Sequence, residues 1–155
     1  MSPYLLALLI GVVAGLRSMT PPAAVSWAAR LGWLRLENTP LAFLGFAATP
    51  YILSLFAIAE LITDKLPKTP SRKTLVPFTA RIVTGAFSGA ALGAPGGALP
   101  AGLLAGALGG VAGTLVGYEF RWRLVKAIGG NDLPIALLED ATAICTAFWI
   151  VSRDL

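Results

Sequence analysis

Residues 15–22, GLRSMTPP, set an arginine, two hydroxyls and two adjacent prolines inside sequence that is otherwise apolar. An apolar run from Tyr4 to Ala14 precedes the stretch, and a mostly apolar one from Ala23 to Leu34 follows it. Thr20-Pro21 pairs a residue suited to a helix N-cap with a proline at the first helical position, where the missing N–H leaves no bond unmade. The order of residues predicts that one half-helix ends near Arg17 and another begins at Pro21. Either the two halves make one broken span, or the segment re-enters on the side it came from; the choice fixes the side on which the N-terminus lies.

Outward from this break, the composition points to a membrane. Of 155 residues, 56% are hydrophobic and only 13% are charged, and mean hydropathy is +0.76. A soluble chain of this size would need more polar residues to cover its core than the long Ala, Leu, Gly and Val runs leave. The net charge of +4 would suit nucleic acid in a soluble protein. Here the basic residues gather between apolar spans, as in the loops of a bilayer protein, so no nucleic-acid partner is expected. With no histidine and one cysteine, Cys145, an internal disulfide is excluded, and neither a metal site nor a haem or other cofactor is expected. The start, MSPYLLALLIGVV, lacks a basic region before its apolar run and reads as retained rather than cleaved.

At about 20 apolar residues per crossing, a single all-α, polytopic membrane domain over 1–155 is expected, with about five transmembrane helices near 3–30, 40–64, 76–94, 101–120 and 133–152. The second is opened by Thr39-Pro40, again a cap followed by proline. Lys65, Lys68, Arg72, Lys73 and Arg81 precede or open the third helix, and Arg121, Arg123 and Lys126 follow the fourth. The excess of positive charge assigns those ends to the cytoplasm. The expected localisation is a bacterial inner membrane, with the N-terminus cytoplasmic and the C-terminus outside. GAPGGALP, residues 93–100, reads as the outer turn between helices three and four.

Laying GVVAGLRSMTPPAAVSWAARLG (Gly11–Gly32) against GVAGTLVGYEFRWRLVKAIGG (Gly110–Gly130) gives a weak internal repeat, each copy followed by a proline-led helix. With one helix between them, the copies are expected to cross in opposite senses, as in inverted-repeat transporters. Gly85, Gly89 and Gly93 on helix three, with Gly102, Gly106, Gly109, Gly110, Gly113 and Gly117 on helix four, form small-residue faces. These suit close helix packing or association of copies, with a dimer as the expected homo-oligomer.

Charged groups in a bilayer cost about 2.5–3.5 kcal/mol each on insertion scales and are paired or face water. Glu60 and Asp64 stand at i, i+4 near the inner end of helix two, and Glu139 and Asp140 about two turns into helix five. Adjacent acids point about 100° apart on a helix, so one partner is not expected to neutralise both, and one should face water or a mobile ion. Glu119 and Arg123 are spaced to pair at the membrane boundary. At the break, Arg17 joins Ser18, Thr20 and the positive N-terminal end of the second half-helix, a combination suited to an anion. The alternative is that Arg17 caps the preceding carbonyls or pairs with an acid of another helix.

These residues lead to a transporter or channel for a small anion or an anionic, phosphate-bearing molecule. Arg17, Ser18, Thr20 and Arg81 are the expected substrate-binding residues, and Glu60, Asp64, Glu139 and Asp140 the proton- or cation-coupling ones. Two other functions fit the same residues: a non-transporting membrane scaffold, or, less well, a membrane enzyme acting on lipid phosphates. No hydrolase elbow, P-loop or dinucleotide fingerprint is present, so no enzyme is expected.

The polar, proline-rich segments GLRSMTPPAAVSWAA, ELITDKLPKTPSR and GGNDLPIALLED together resemble a family of small bacterial integral membrane proteins described as domain of unknown function 4126. The resemblance runs over most of the chain. It implies a polytopic inner-membrane protein and supplies no substrate, activity or ligand residues.

Overall fold

A computed structural model gives the fold, and it describes residues 1–64 and 74–153. Lys65, Lys68, Arg72 and Lys73, on which much of the expected inner positive loop rests, lie outside the described residues. Among the described residues there are six α-helices and no strand: α1 (Pro3–Leu16), α2 (Thr20–Arg30), α3 (Thr49–Thr63), α4 (Leu75–Gly93), α5 (Leu99–Ala127) and α6 (Asp132–Val151). Three stretches are long and apolar enough to cross a membrane: Leu75–Gly96, Leu99–Ala127 and Asp132–Val151. Their outer faces carry large exposed apolar side chains, among them Leu104, Leu108, Val116 and Leu138. Such faces would be a liability in water and match hydrocarbon as solvent.

Glycine builds the centre. Gly85 meets Gly106, and Gly89 meets Gly102, so α4 and α5 run antiparallel; Gly11 meets Gly106 and Gly15 meets Gly113, so α1 runs parallel to α5. Without Cβ atoms the three backbones come into direct contact, which is how helices gain attraction in lipid, where burial of apolar surface drives nothing. The small-residue faces expected from sequence are therefore consumed within one chain rather than left for a second copy. Gly97, at φ +74, turns α4 into α5 through the short 3₁₀ segment Ala94–Gly96, and Gly129 and Gly130, at φ +90 and +92, turn α5 into α6. Positive φ costs glycine nothing, whereas a side chain would strain both turns.

The first and second expected helices are both revised. The break at GLRSMTPP is real, but it reverses the chain. α2 pairs antiparallel with α3, Met19 lying by Glu60 and Trp27 by Ser54, and the following segment returns along α4, where Phe43 meets Phe87. Each piece is short, 14 residues in α1 and 11 in α2, or about 21 and 17 Å at 1.5 Å per residue, well under the ~30 Å hydrocarbon core. Every residue of α2 from Thr20 to Ser26 is buried, as is Ala28, and Ser26 donates to Leu44 O at 2.6 Å. The second expected helix, 40–64, starts late, at Thr49. Thr39 instead makes a local turn, donating to Leu36 O and accepting from Leu41 N. A second Thr-Pro pair, Thr49-Pro50, opens the helix, because Pro50 has no N–H with which to continue one from upstream.

The inverted repeat fails on direction. Its two copies would have to run in opposite senses, whereas α1 and α5 run in the same sense. The fold also differs locally: the first copy breaks at Arg17, while its counterpart is continuous through α5 to Ala127.

Candidate functional site

Every helix contributes to one end of the bundle. α1 ends there at Leu16, α2 begins, α3 brings its last turn, α4 its first two turns, α6 its first three, and α5 its last two. Gly15 lies beside Gly113, 14 positions after Leu99 and so about 21 Å along α5. The site therefore sits within the hydrophobic length of the bundle, toward one side.

Arg17 is its hub, with no exposed surface. It is the C-cap residue of α1, in extended conformation, which throws its side chain across the bundle rather than back along the helix. Its Nε donates to Asp140 Oδ1 at 2.6 Å, and its Nη1 donates to Glu139 Oε1 at 3.1 Å and to Leu16 O at 2.9 Å. Nη1 also lies 3.3 Å from Asp64 Oδ2. Asp64 is the C-cap residue of α3, and Arg81 of α4 approaches the same oxygen at 3.7 Å. Arg81 is itself tied to backbone, Nε donating to Gly15 O at 3.1 Å and Nη1 to Pro77 O at 3.3 Å.

Two expectations are overturned by these contacts. Arg17 is neutralised by carboxylates of its own chain and does not stand open to a visiting anion. And one cation does serve both Glu139 and Asp140: a guanidinium presents separate donors along a rigid fork, so, entering between the two acids, it reaches each with a different nitrogen. The argument from 100° spacing holds for a point charge such as lysine and not for this shape.

The positive end of α2 is occupied in the same way. Met19, its N-cap residue, offers no side-chain cap. The Met19 N–H donates to Glu60 Oε2 at 3.2 Å, and the Ser18 hydroxyl donates to the same oxygen. Anion binding at this helix end was expected, and the anion is Glu60, one turn before Asp64 on α3. Thr20 is buried as the first residue of α2. The expected site residues Arg17, Ser18, Arg81, Glu60, Asp64, Glu139 and Asp140 thus come together. Their pairing differs from the expected division into an anion site and a coupling site.

Sequence reasoning missed Arg121, which it placed in a solvated loop. Arg121 grips Asp132 with two nitrogens, at 3.0 and 2.7 Å, and lies 3.6 Å from Glu139 Oε2. The signal was the Gly129-Gly130 turn, which folds an arginine before it toward an acid after it. Glu119 and Arg123 pair at 3.0 Å on the exposed surface, as their spacing suggested, and stand outside the cluster.

Among the described residues, four buried side-chain atoms have no hydrogen-bond partner: Arg17 Nη2, Glu60 Oε1, Asp64 Oδ2 and Ser88 Oγ. Three of them belong to this cluster. Since buried polar atoms are almost always satisfied, their concentration here marks the cluster as more than a set of complete pairs. Among the described residues no group of histidines, cysteines and acids is arranged to hold a metal.

No curated protein and no solved structure matches the chain. The family model described as Domain of unknown function (DUF4126) matches it over residues 4–152, and the chain belongs to that family.

Proposed function

We propose that the protein is a small multi-pass transporter or channel of a bacterial inner membrane, in which the carboxylates around Arg17 bind and release protons or a small cation. The observation that carries the reading is Glu60, whose Oε1 is buried without a partner while its Oε2 is held by Ser18 and Met19. A buried carboxylate that the chain leaves without a donor or cation on one oxygen is costly when ionised in a low-dielectric interior, and a proton or cation arriving there relieves that cost. An anion as cargo has lost its main support, because Arg17 and the start of α2, the groups suited to hold it, already hold acids of the chain.

The positive residues Arg121, Arg123 and Lys126 at the end of α5 favour the cytoplasm for the clustered end. α1 runs toward that end and α6 away from it, so both termini lie outside in this reading, and the N-terminal side expected from sequence is reversed. Association as a dimer belongs to the same proposal and would use the lipid-facing surfaces, since the glycine faces are taken.

A second reading has its own observation in its favour. Arg17 is fully buried and engages three acids, as an architectural clamp would. Proteoliposomes loaded with a pH-sensitive dye separate the two. Transport predicts proton uptake under an imposed potential, reduced at least tenfold by Glu60→Gln with folding retained. A parent protein that moves neither protons nor monovalent cations leaves the clamp.

A further inference from the structure

The three atoms of the cluster without a hydrogen bond are chemically complementary to one small molecule. Arg17 Nη2 is a donor, and Glu60 Oε1 and Asp64 Oδ2 are acceptors. A water accepts from one and donates to the other two. We propose that these atoms form the binding site of a single internal water, which joins the α1–α2 turn to the last turn of α3.

The three side chains gather at the same turn. Asp64 Oδ2 lies 3.3 Å from Nη1, the sister nitrogen of Nη2 on the same planar fork, which sets that oxygen beside the guanidinium edge where a bridging water would sit. Glu60 and Asp64 stand at i, i+4 on α3, with Cβ atoms about 5–6 Å apart on one face. Glu60 is also fixed from the other side, its Oε2 held by Ser18 and Met19, the two residues after Arg17. Arg17 has no exposed surface, so Nη2 has no bulk solvent to turn to.

Buried waters occur where two to four polar partners converge, about three being typical. One donor and two acceptors meet that requirement. A bare cation meets it less well, because Arg17 would face it with positive charge. The water also supplies a hydrogen-bonded link between the two acids of α3. The inference deepens the proton reading and rests on it only for the use of the site, not for its existence.

The test is a structure of the whole chain in lipid at a resolution that shows ordered water. The expected result is one peak at about 2.7–3.2 Å from each of the three atoms. The proposal is overturned if those atoms pair with side chains, if no peak is present, or if a peak lies about 2.3–2.6 Å from the oxygens, the range of a hard cation. Infrared difference spectra in H₂¹⁸O give a second readout. Wild type should show an isotope-shifted water O–H band that Glu60→Met removes, and a band that survives the substitution counts against the site. Flux is a separate outcome: an ordered water in a protein that moves neither protons nor monovalent cations supports the site and ends the transport reading.

Discussion

A guanidinium in hydrocarbon loses its hydration, and three carboxylates beside it lose theirs. Their mutual attraction offsets this only while every partner is in place. The contacts of Arg17 are therefore strongly interdependent. Arg17→Ala should leave Asp64, Glu139 and Asp140 without their central cation and lower stability by about 3–5 kcal/mol, read as thermal unfolding of purified protein in detergent. Arg17→Lys should restore only part of the loss, because a single ammonium cannot take Asp140 and Glu139 from two separate nitrogens while also reaching Leu16 O. An Arg17→Ala protein within about 0.5 kcal/mol of wild type, as for an ordinary surface change, would show that the cluster carries little energy. At this scale the sequence named most members of the site, since an arginine and four acids in apolar surroundings must meet partners. It did not give the pairing. Whether Arg17 faces a ligand or Asp140 depends on where α6 docks, and no local pattern in either segment encodes that.

Helices in this bundle are positioned by what they lack. A Cβ added at Gly85 would come 2.6 Å from Gly106 O and 3.4 Å from Ala14 Cβ, whereas one at Gly96 would meet nothing within 4 Å. Backbone cannot swing aside as a side chain does, so Gly85→Ala should separate α4 from α5 and α1, at about 1–3 kcal/mol as for other overpacked sites. Gly96→Ala should be neutral within about 0.5 kcal/mol. Equal melting temperatures for the two variants would contradict the packing. The glycine faces of α4 and α5 were plain in the sequence, as were the bounds of α4 and α6 and the start of α5 to within a turn, because long apolar helices in lipid leave few alternatives; α5 runs on to Ala127, about two turns past the expected end at residue 120. α3 was misjudged at its start. LAFLGFAATPYILSLFAIA contains its own Thr-Pro pair, and the uniform apolarity of the run hid the stop. The α1 partner of α5 was missed as well, since close packing between segments almost a hundred residues apart is a tertiary fact.

For the molecule as a whole, GLRSMTPP is the hinge of the account. It turns the chain back within the hydrophobic layer, so that α1 and α2 together make a hairpin, and it delivers Arg17 to acids from α3 and α6. A broken but continuous span would instead carry the chain through and leave α1 and α5 crossing in opposite senses. The two differ in a countable way: with the hairpin both termini emerge on one side, and with the span they emerge on opposite sides. The exposed Cys145 is first replaced by serine; single cysteines are then placed by Ser2→Cys and Arg153→Cys, and their reaction with a membrane-impermeant thiol reagent is measured in oriented vesicles. Labelling of both positions from the same side is the predicted result, and labelling from opposite sides would contradict the turn at Arg17.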